Sequence, residues 1–287
     1  MSKASKDSLK LRLLTALPLI PLLLAVILMP ALKTVFVLMV LFLSAMAAWE
    51  FKALISALRP EMTGLGLMLL APVLPLVLFW EQQAGPLFFV SFNLLFFALV
   101  LEHLFVKEPP LERLAFSLAG LLYTGGLPCF FIALHRIPQT GPGLITLLLV
   151  AIGLSDTCAY GFGKAFGKHK LCPTVSPNKT IEGSIAGLCG GLAAGIIAYA
   201  LQQHWACLWL PRWPWFIYVL IGLSLAITGQ IGDLAESVLK RSAGVKDSGK
   251  LFPGHGGVLD RCDAFLFGGP TLYCALLLLE MQGFQAF

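Results

Sequence analysis

Apolar runs of about 20 residues recur from one end of this chain to the other, and each is long enough to cross a bilayer as a helix. Of the 287 residues, 58% are hydrophobic and only 12% are charged. The charged share is about half that of a soluble domain, too small to cover a soluble surface. The expected fold class is all-α: a polytopic integral membrane protein with about nine transmembrane helices. The first run follows Lys3, Lys6, Lys10 and Arg12, like the basic head of a signal peptide. It is long, however, and no small-x-small cleavage site follows it, so a retained first helix is expected.

The nine expected spans are Leu13–Met29, Leu32–Trp49 continuing toward Ala57, Gly64–Trp80, Pro86–Val106, Leu111–His135, Gly143–Phe162, Ile181–Leu201, Trp213 toward Lys240, and Cys262–Glu280. The first two are divided only by Pro30 to Lys33, where eight helices or a hairpin is the alternative reading. The fifth contains Gly125, Gly126 and Pro128, which predict a bend. The chain divides at residue 135 into an N-terminal set of helices, 1–135, and a C-terminal region, 136–287. The C-terminal region carries the two longest polar stretches, 163–180 and 240–261.

Basic residues assign an orientation. With nine spans and a cytoplasmic N-terminus, 17 of the 20 Lys and Arg residues fall on the cytoplasmic side, and only Lys33, Arg136 and Arg212 fall outside. Adding or dropping one early span would scatter them, so the positive-inside bias supports this count. Trp205, Trp209, Trp213 and Trp215 cluster at the outer edge, as an interfacial belt does. Both polar stretches then lie on the cytoplasmic face, where two loops can build one site.

The seven cysteines form no CxxC pair and no Cys/His cluster at zinc spacing, and they read as small buried residues. The net charge of +5 suits basic loops beside anionic lipid, and no nucleic-acid-binding pattern accompanies it. No nucleic-acid partner is expected.

Polar chemistry concentrates between Asp233 and Asp263. These 31 residues hold ten of the 35 charged side chains. Asp233, Glu236 and Lys240 share a helix face by their spacing. A carboxylate near the membrane boundary is costly unless paired or metal-bound; a helix-end salt bridge between Asp233 and Lys240 is the simplest structural alternative to a metal. Gly244 to Gly257 holds five glycines and Pro253, which disfavours a helix and suits backbone N–H groups turned toward an anion. Asp260 and Asp263 share a face at the start of the last helix. One of them suits helix capping; together with Asp233 they suit oxygen ligation of Mg²⁺. The stretch from Asp156 to Glu182 interleaves glycine with Lys164, Lys168, Lys170 and Lys179, and its hydroxyls suit the N-terminus of the seventh helix. His169, a loop histidine among lysines, reads as incidental. Carboxylates, lysines and a glycine loop at a membrane surface point to Mg²⁺-assisted phosphoryl or nucleotidyl transfer. An ion-coupled transporter would instead place charge near the membrane midplane and show alternating repeats.

From Ser237 to Asp263 the chain reads SVLKRSAGVKDSGKLFPGHGGVLDRCD. This resembles the signature of the phosphatidate cytidylyltransferase, or CDP-diacylglycerol synthase, family, with every fixed position filled. GQIGDLAES before it, and the stretch from Ser155 to Gly183, are also similar. The resemblance implies an enzyme of the bacterial cytoplasmic (inner) membrane, with a cytoplasmic active site, that converts CTP and phosphatidate to CDP-diacylglycerol and pyrophosphate. A related nucleotide or lipid phosphate is the alternative. The resemblance also implies a need for Mg²⁺, with two cations near Asp233 and Asp260 and with Asp263 and Asp156 as further metal candidates. Catalytic roles are implied for Lys240, Arg241, Lys246, Asp247, His255 and Arg261, and substrate phosphate binding for Lys179, Lys164, Ser176 and Ser237. The pattern of CDP-alcohol phosphatidyltransferases, another lipid-headgroup class, is missing. Gly183–Gly187 and Gly187–Gly191 spacings permit close helix packing, either within the chain or in a homodimer.

Overall fold

The computed structural model describes residues 20–59, 70–80, 86–104, 110–204, 209–249, 251 and 256–284. Lys3, Lys6, Lys10, Arg12, Lys107, Trp205, Lys250 and His255 lie outside the described residues, as do the starts of the first and third expected spans. The chain is an all-α polytopic membrane protein. Among the described residues, six helical stretches are long and apolar enough to cross a membrane: Pro30–Leu58, Leu111–His135, Gly141–Phe166, Ile181–His204, Trp215–Ser242 and Leu259–Met281. Phe89–Glu102 is a shorter apolar helix.

In chain order, α1 is described over 20–28, followed by α2 (Lys33–Leu58), α3 (Val73–Trp80), α4 (Pro86–Leu104), α5 (Pro110–Leu121) and α6 (Leu127–His135). The C-terminal part holds α7 (Gly141–Phe166), β1 (Lys170–Cys172), β2 (Ser176–Thr180), α8 (Ile181–His204), α9 (Trp215–Ser242) and α10 (Leu259–Met281). The expected bend in the fifth span is a π turn, Leu122–Gly126, that joins α5 to α6. Its cause is legible. Pro128 has no N–H, so the Thr124 carbonyl one turn earlier loses its helical donor. Ser44 of α2 donates its hydroxyl to that carbonyl at 2.5 Å instead. The π turn is thereby locked to a neighbouring helix.

The glycines of α8 find their partners inside the chain. Gly190 packs on Leu154 and Cys158 of α7, Gly191 on Gly222 of α9, and Gly195 on the Tyr218 backbone of α9. In apolar surroundings close backbone approach is what drives helix association, and α8 is gripped between α7 and α9.

The polar stretch after α7 differs from a plain loop. The helix runs on to Phe166, and an antiparallel hairpin follows, with Lys170 opposite Thr180 and Cys172 opposite Ser176. Thr180 then accepts the Gly183 N–H on its Oγ1 at 3.1 Å, the hydroxyl capping expected at the start of α8.

Most buried side chains join one core running from α1 to α10. A second apolar cluster has its own place. Ala47, Phe51, Leu54 and Ile55 of α2 meet Val258, Leu259 and Leu266 at the head of α10. This cluster lies directly beneath the polar stretch that ends at Asp263.

Candidate active site

The C-terminal end of α7, the hairpin, the N-terminal end of α8, the C-terminal end of α9 and the head of α10 all open onto one cavity of about 1050 Å³. That is at the upper end of the range for small-molecule sites. Two polar stretches separated by a helical hairpin in sequence therefore build one wall-to-wall pocket. Asp156, Lys164, Lys179, Asp233, Ser237, Lys240, Arg241, Lys246, Asp247, Asp260, Arg261 and Asp263 all line it. Ser176 pairs across the hairpin and is not among the lining residues. His255 is outside the described residues.

Charge pairing inside the pocket departs from the simplest expectation. Asp233 pairs with Lys179 of the hairpin at 2.7 Å, not with Lys240; its Oδ1 lies 3.5 Å from the Ser237 hydroxyl. Lys240 sits between Glu236 at 2.5 Å and Asp260 at 2.6 Å. The reason is depth. Glu236 is fully buried, one helical turn from Lys240, and an uncompensated charge there would be costly. Oε2 of Glu236 takes the Lys240 ammonium, and the Glu236 side chain also lies in hydrogen-bond reach of Asp263.

The glycine loop also differs from a free anion nest. The Ser248 and Gly257 N–H groups both donate to Asp260 Oδ2 at 2.8 Å. The next two N–H groups, of Val258 and Leu259, donate to the carboxylate of Glu50 at 2.9 Å each. Those backbone donors are occupied by the protein's own carboxylates. Arg241 Nε donates to the Val175 carbonyl at 3.2 Å, tying the end of α9 to the hairpin turn. Lys164 stands over the Tyr160 ring at 5.8 Å. His169 is held by Glu182 at 2.7 Å, and Glu182 also accepts the Lys168 and His169 N–H groups. This is a structural clasp for the hairpin, in line with an incidental histidine.

Four residues of this site escaped the sequence reading. Ser184 donates to Gln230 Oε1 at 2.5 Å, and Gln230 returns its amide to the Ser184 carbonyl at 3.1 Å; both line the cavity. Ser248 and Glu50 are the others. The signal for Glu50 was present, because a carboxylate in an otherwise apolar span needs a reason to be there.

Asp156, Asp233 and Asp263 approach the cavity from α7, α9 and α10. Carboxylate oxygens are the hard donors that Mg²⁺ takes. Among the described residues, no three His, Cys, Asp or Glu side chains converge into a closed cation cage. The three aspartates share the cavity lining with the cations Lys164, Lys246, Arg241 and Arg261. Such a pocket can hold a polyanion against its cations.

Fold and site together define an all-α polytopic membrane protein whose charged residues gather on a cavity at the ends of its helices. Comparison narrows it further: the profile of the cytidylyltransferase family matches residues 10–279, and the chain belongs to that family. The phosphatidate cytidylyltransferase of Bacillus subtilis strain 168 is 42% identical over 170 residues, covering 59% of this chain and 60% of the relative. That of Staphylococcus saprophyticus is 40% identical over 163 residues, covering 57% and 59%. That of Staphylococcus haemolyticus is 42% identical over 167 residues, covering 58% and 60%. The aligned part thus spans about 60% of the length of these curated relatives.

Proposed function

We propose that this protein transfers the cytidylyl group of CTP to phosphatidate, releasing pyrophosphate and forming CDP-diacylglycerol at the cytoplasmic face of a bacterial inner membrane. The observation that carries the reading is the gathering of the 237–263 signature residues and the 156–182 residues on one cavity. The relatives' names support the same substrates.

In this reading a phosphate oxygen of phosphatidate attacks the α-phosphorus of CTP. One P–O bond forms, the bond to the β-phosphate oxygen breaks, and pyrophosphate leaves with its electron pair. The nucleophile is already an anion, so no protein base is required. The obstacle is repulsion between two polyanions, and fixed positive charge lowers it. Lys246, Arg261, Arg241 and Lys164 line the cavity for that purpose. Lys179, now on Asp233, is within the same cavity to exchange its carboxylate for a phosphate. One or two of Asp233, Asp263 and Asp156 would hold Mg²⁺ together with substrate phosphate oxygens, with Asp260 as a further acidic group whose oxygens are already shared with Lys240, Ser248 and Gly257. When bound, the cation supplies Lewis-acid charge beside the reacting phosphoryl group.

The test is pyrophosphate release by purified protein with Mg²⁺ and phosphatidate, comparing CTP with ATP, GTP and UTP. Release with CTP alone is expected. Equal release with another nucleotide would reassign the substrate, and no release with any of them would sink the reading.

A further inference from the structure

Glu50 lies in α2, far in sequence from the pocket residues, and is 4% exposed. The sequence signature does not include it. Its carboxylate nevertheless makes three contacts with the glycine loop and the head of α10. Oε1 accepts the Val258 N–H at 2.9 Å; Oε2 accepts the Leu259 N–H and the Ser248 hydroxyl, each at 2.9 Å. The loop is shaped to admit it. A Cβ on either Gly249 or Gly257 would collide with the Glu50 carboxylate, so these two glycines leave the space that Glu50 fills.

Ser248 also contacts Asp260, which lines the cavity. The serine hydroxyl lies 2.9 Å from Asp260 Oδ2, which also takes the Ser248 N–H. Asp260 in turn holds Lys240, and Lys240 holds the buried Glu236. A continuous polar line therefore runs from α2 through Ser248 to Asp260, Lys240 and Glu236. Ordinary helix capping does not need this. Asp260 already caps locally through the Gly257 N–H, whereas Glu50 reaches in from another helix and takes the two donors that follow.

We infer that Glu50 is a positioning residue for the transfer reaction: it holds Ser248 within the glycine loop and Val258–Leu259 just past it, and through Ser248 fixes the carboxylate of Asp260 and the ammonium of Lys240 against the cavity. The inference rests on the proposed cytidylyl transfer for its kinetic arm only. The N-terminal helices then contribute to the site, and α2 is more than support for it.

Glu50→Gln, Glu50→Asp and Ser248→Ala test this in the purified full-length protein in detergent. Glutamine keeps the shape but turns an amide donor toward backbone donors. For Glu50→Gln, kcat is expected to fall about 10- to 100-fold, the cost typical of losing a partner that orients a reacting group, with KM for CTP changed less than about threefold. Glu50→Asp, which keeps the acceptors on a shorter arm, is expected to recover part of kcat. Ser248→Ala is expected to lose kcat in the same direction. Hydrogen–deuterium exchange gives a second reading that needs no turnover. Amides at 257–260 are expected to exchange faster in Glu50→Gln, while amides of α8 keep their protection. Wild-type kcat per folded molecule in Glu50→Gln, or unchanged protection at 257–260, would overturn the inference. If Glu50→Gln does not fold, the same two readings on Glu50→Asp decide. If the wild type releases no pyrophosphate, the functional reading fails and the exchange experiment alone judges Glu50.

Discussion

Lys240 is the residue at which structure and chemistry compete. Its ammonium joins Glu236 from its own helix to Asp260 from the next, and its side chain is largely buried. Removing one partner of a buried pair leaves an uncompensated charge, at a cost of about 3–5 kcal/mol. Lys240→Met is therefore expected to lower the thermal midpoint in detergent as well as turnover. Adding Glu236→Gln should restore much of the midpoint, because the stranded carboxylate is gone, while turnover stays low. Recovery of both together would show that Lys240 matters only for folding. Lys246 is the contrasting case. It is exposed on the cavity wall and has no ion pair among the described residues. Lys246→Ala should leave the thermal midpoint unchanged yet lower kcat/KM for CTP by about 100-fold, the effect of losing one donor to developing charge. An unchanged kcat/KM would remove Lys246 from the phosphate contacts. The two lysines look alike in the sequence, six residues apart in one motif. Their difference depends on depth and on which carboxylate comes near, and neither is written in the spacing.

At the scale of elements, the sequence announces some partnerships and hides others. The small-residue spacing of α8 announced close packing, but the partners, α7 on one side and α9 on the other, required the fold. The proline behind the π turn was readable, whereas the Ser44 hydroxyl that repairs it comes from a helix some eighty residues away. Glu50 was hidden in the same way: a lone carboxylate in α2 says that a partner exists without saying where. Long-range pairings of this kind have no local periodicity to betray them. The packing of α8 gives a direct comparison. A side chain at Gly195 would run into the Tyr218 backbone, while a Cβ at Gly153 of α7 meets nothing within 4 Å. Gly195→Leu should force α8 off α9 and abolish the folded, monodisperse protein in size-exclusion chromatography. Gly153→Ala should be neutral or raise the thermal midpoint, since alanine is favoured over glycine within a helix by about 1 kcal/mol. A folded Gly195→Leu protein would show that the α8–α9 seam tolerates separation.

For the whole molecule, the order of charge along the chain and the placement of the cavity make the same demand. The C-terminal ends of α7 and α9 and the N-terminal ends of α8 and α10 meet at the cavity. At the opposite end of the bundle the backbone of Trp209 packs on Gly143 near the start of α7, and Arg212 is exposed just before α9. The hairpin and Arg212 should therefore face opposite sides of the membrane. The proposed substrate CTP is a cytosolic polyanion that would have to reach the cavity from the cytoplasm, and basic loops are retained there. On the proposed transfer, the hairpin is expected inside and Arg212 outside. The prediction can be read without any activity assay. In a background with all seven cysteines replaced, Lys170→Cys and Arg212→Cys are made singly and treated in intact cells with a membrane-impermeant maleimide. Arg212→Cys is expected to label in intact cells, and Lys170→Cys only after the membrane is opened. The reverse pattern would turn the cavity outward and rule out a CTP-dependent reaction there. Labelling of both in intact cells would break the α7–α8 and α9–α10 arrangement itself, because the two ends of a membrane-spanning bundle cannot both face the outside.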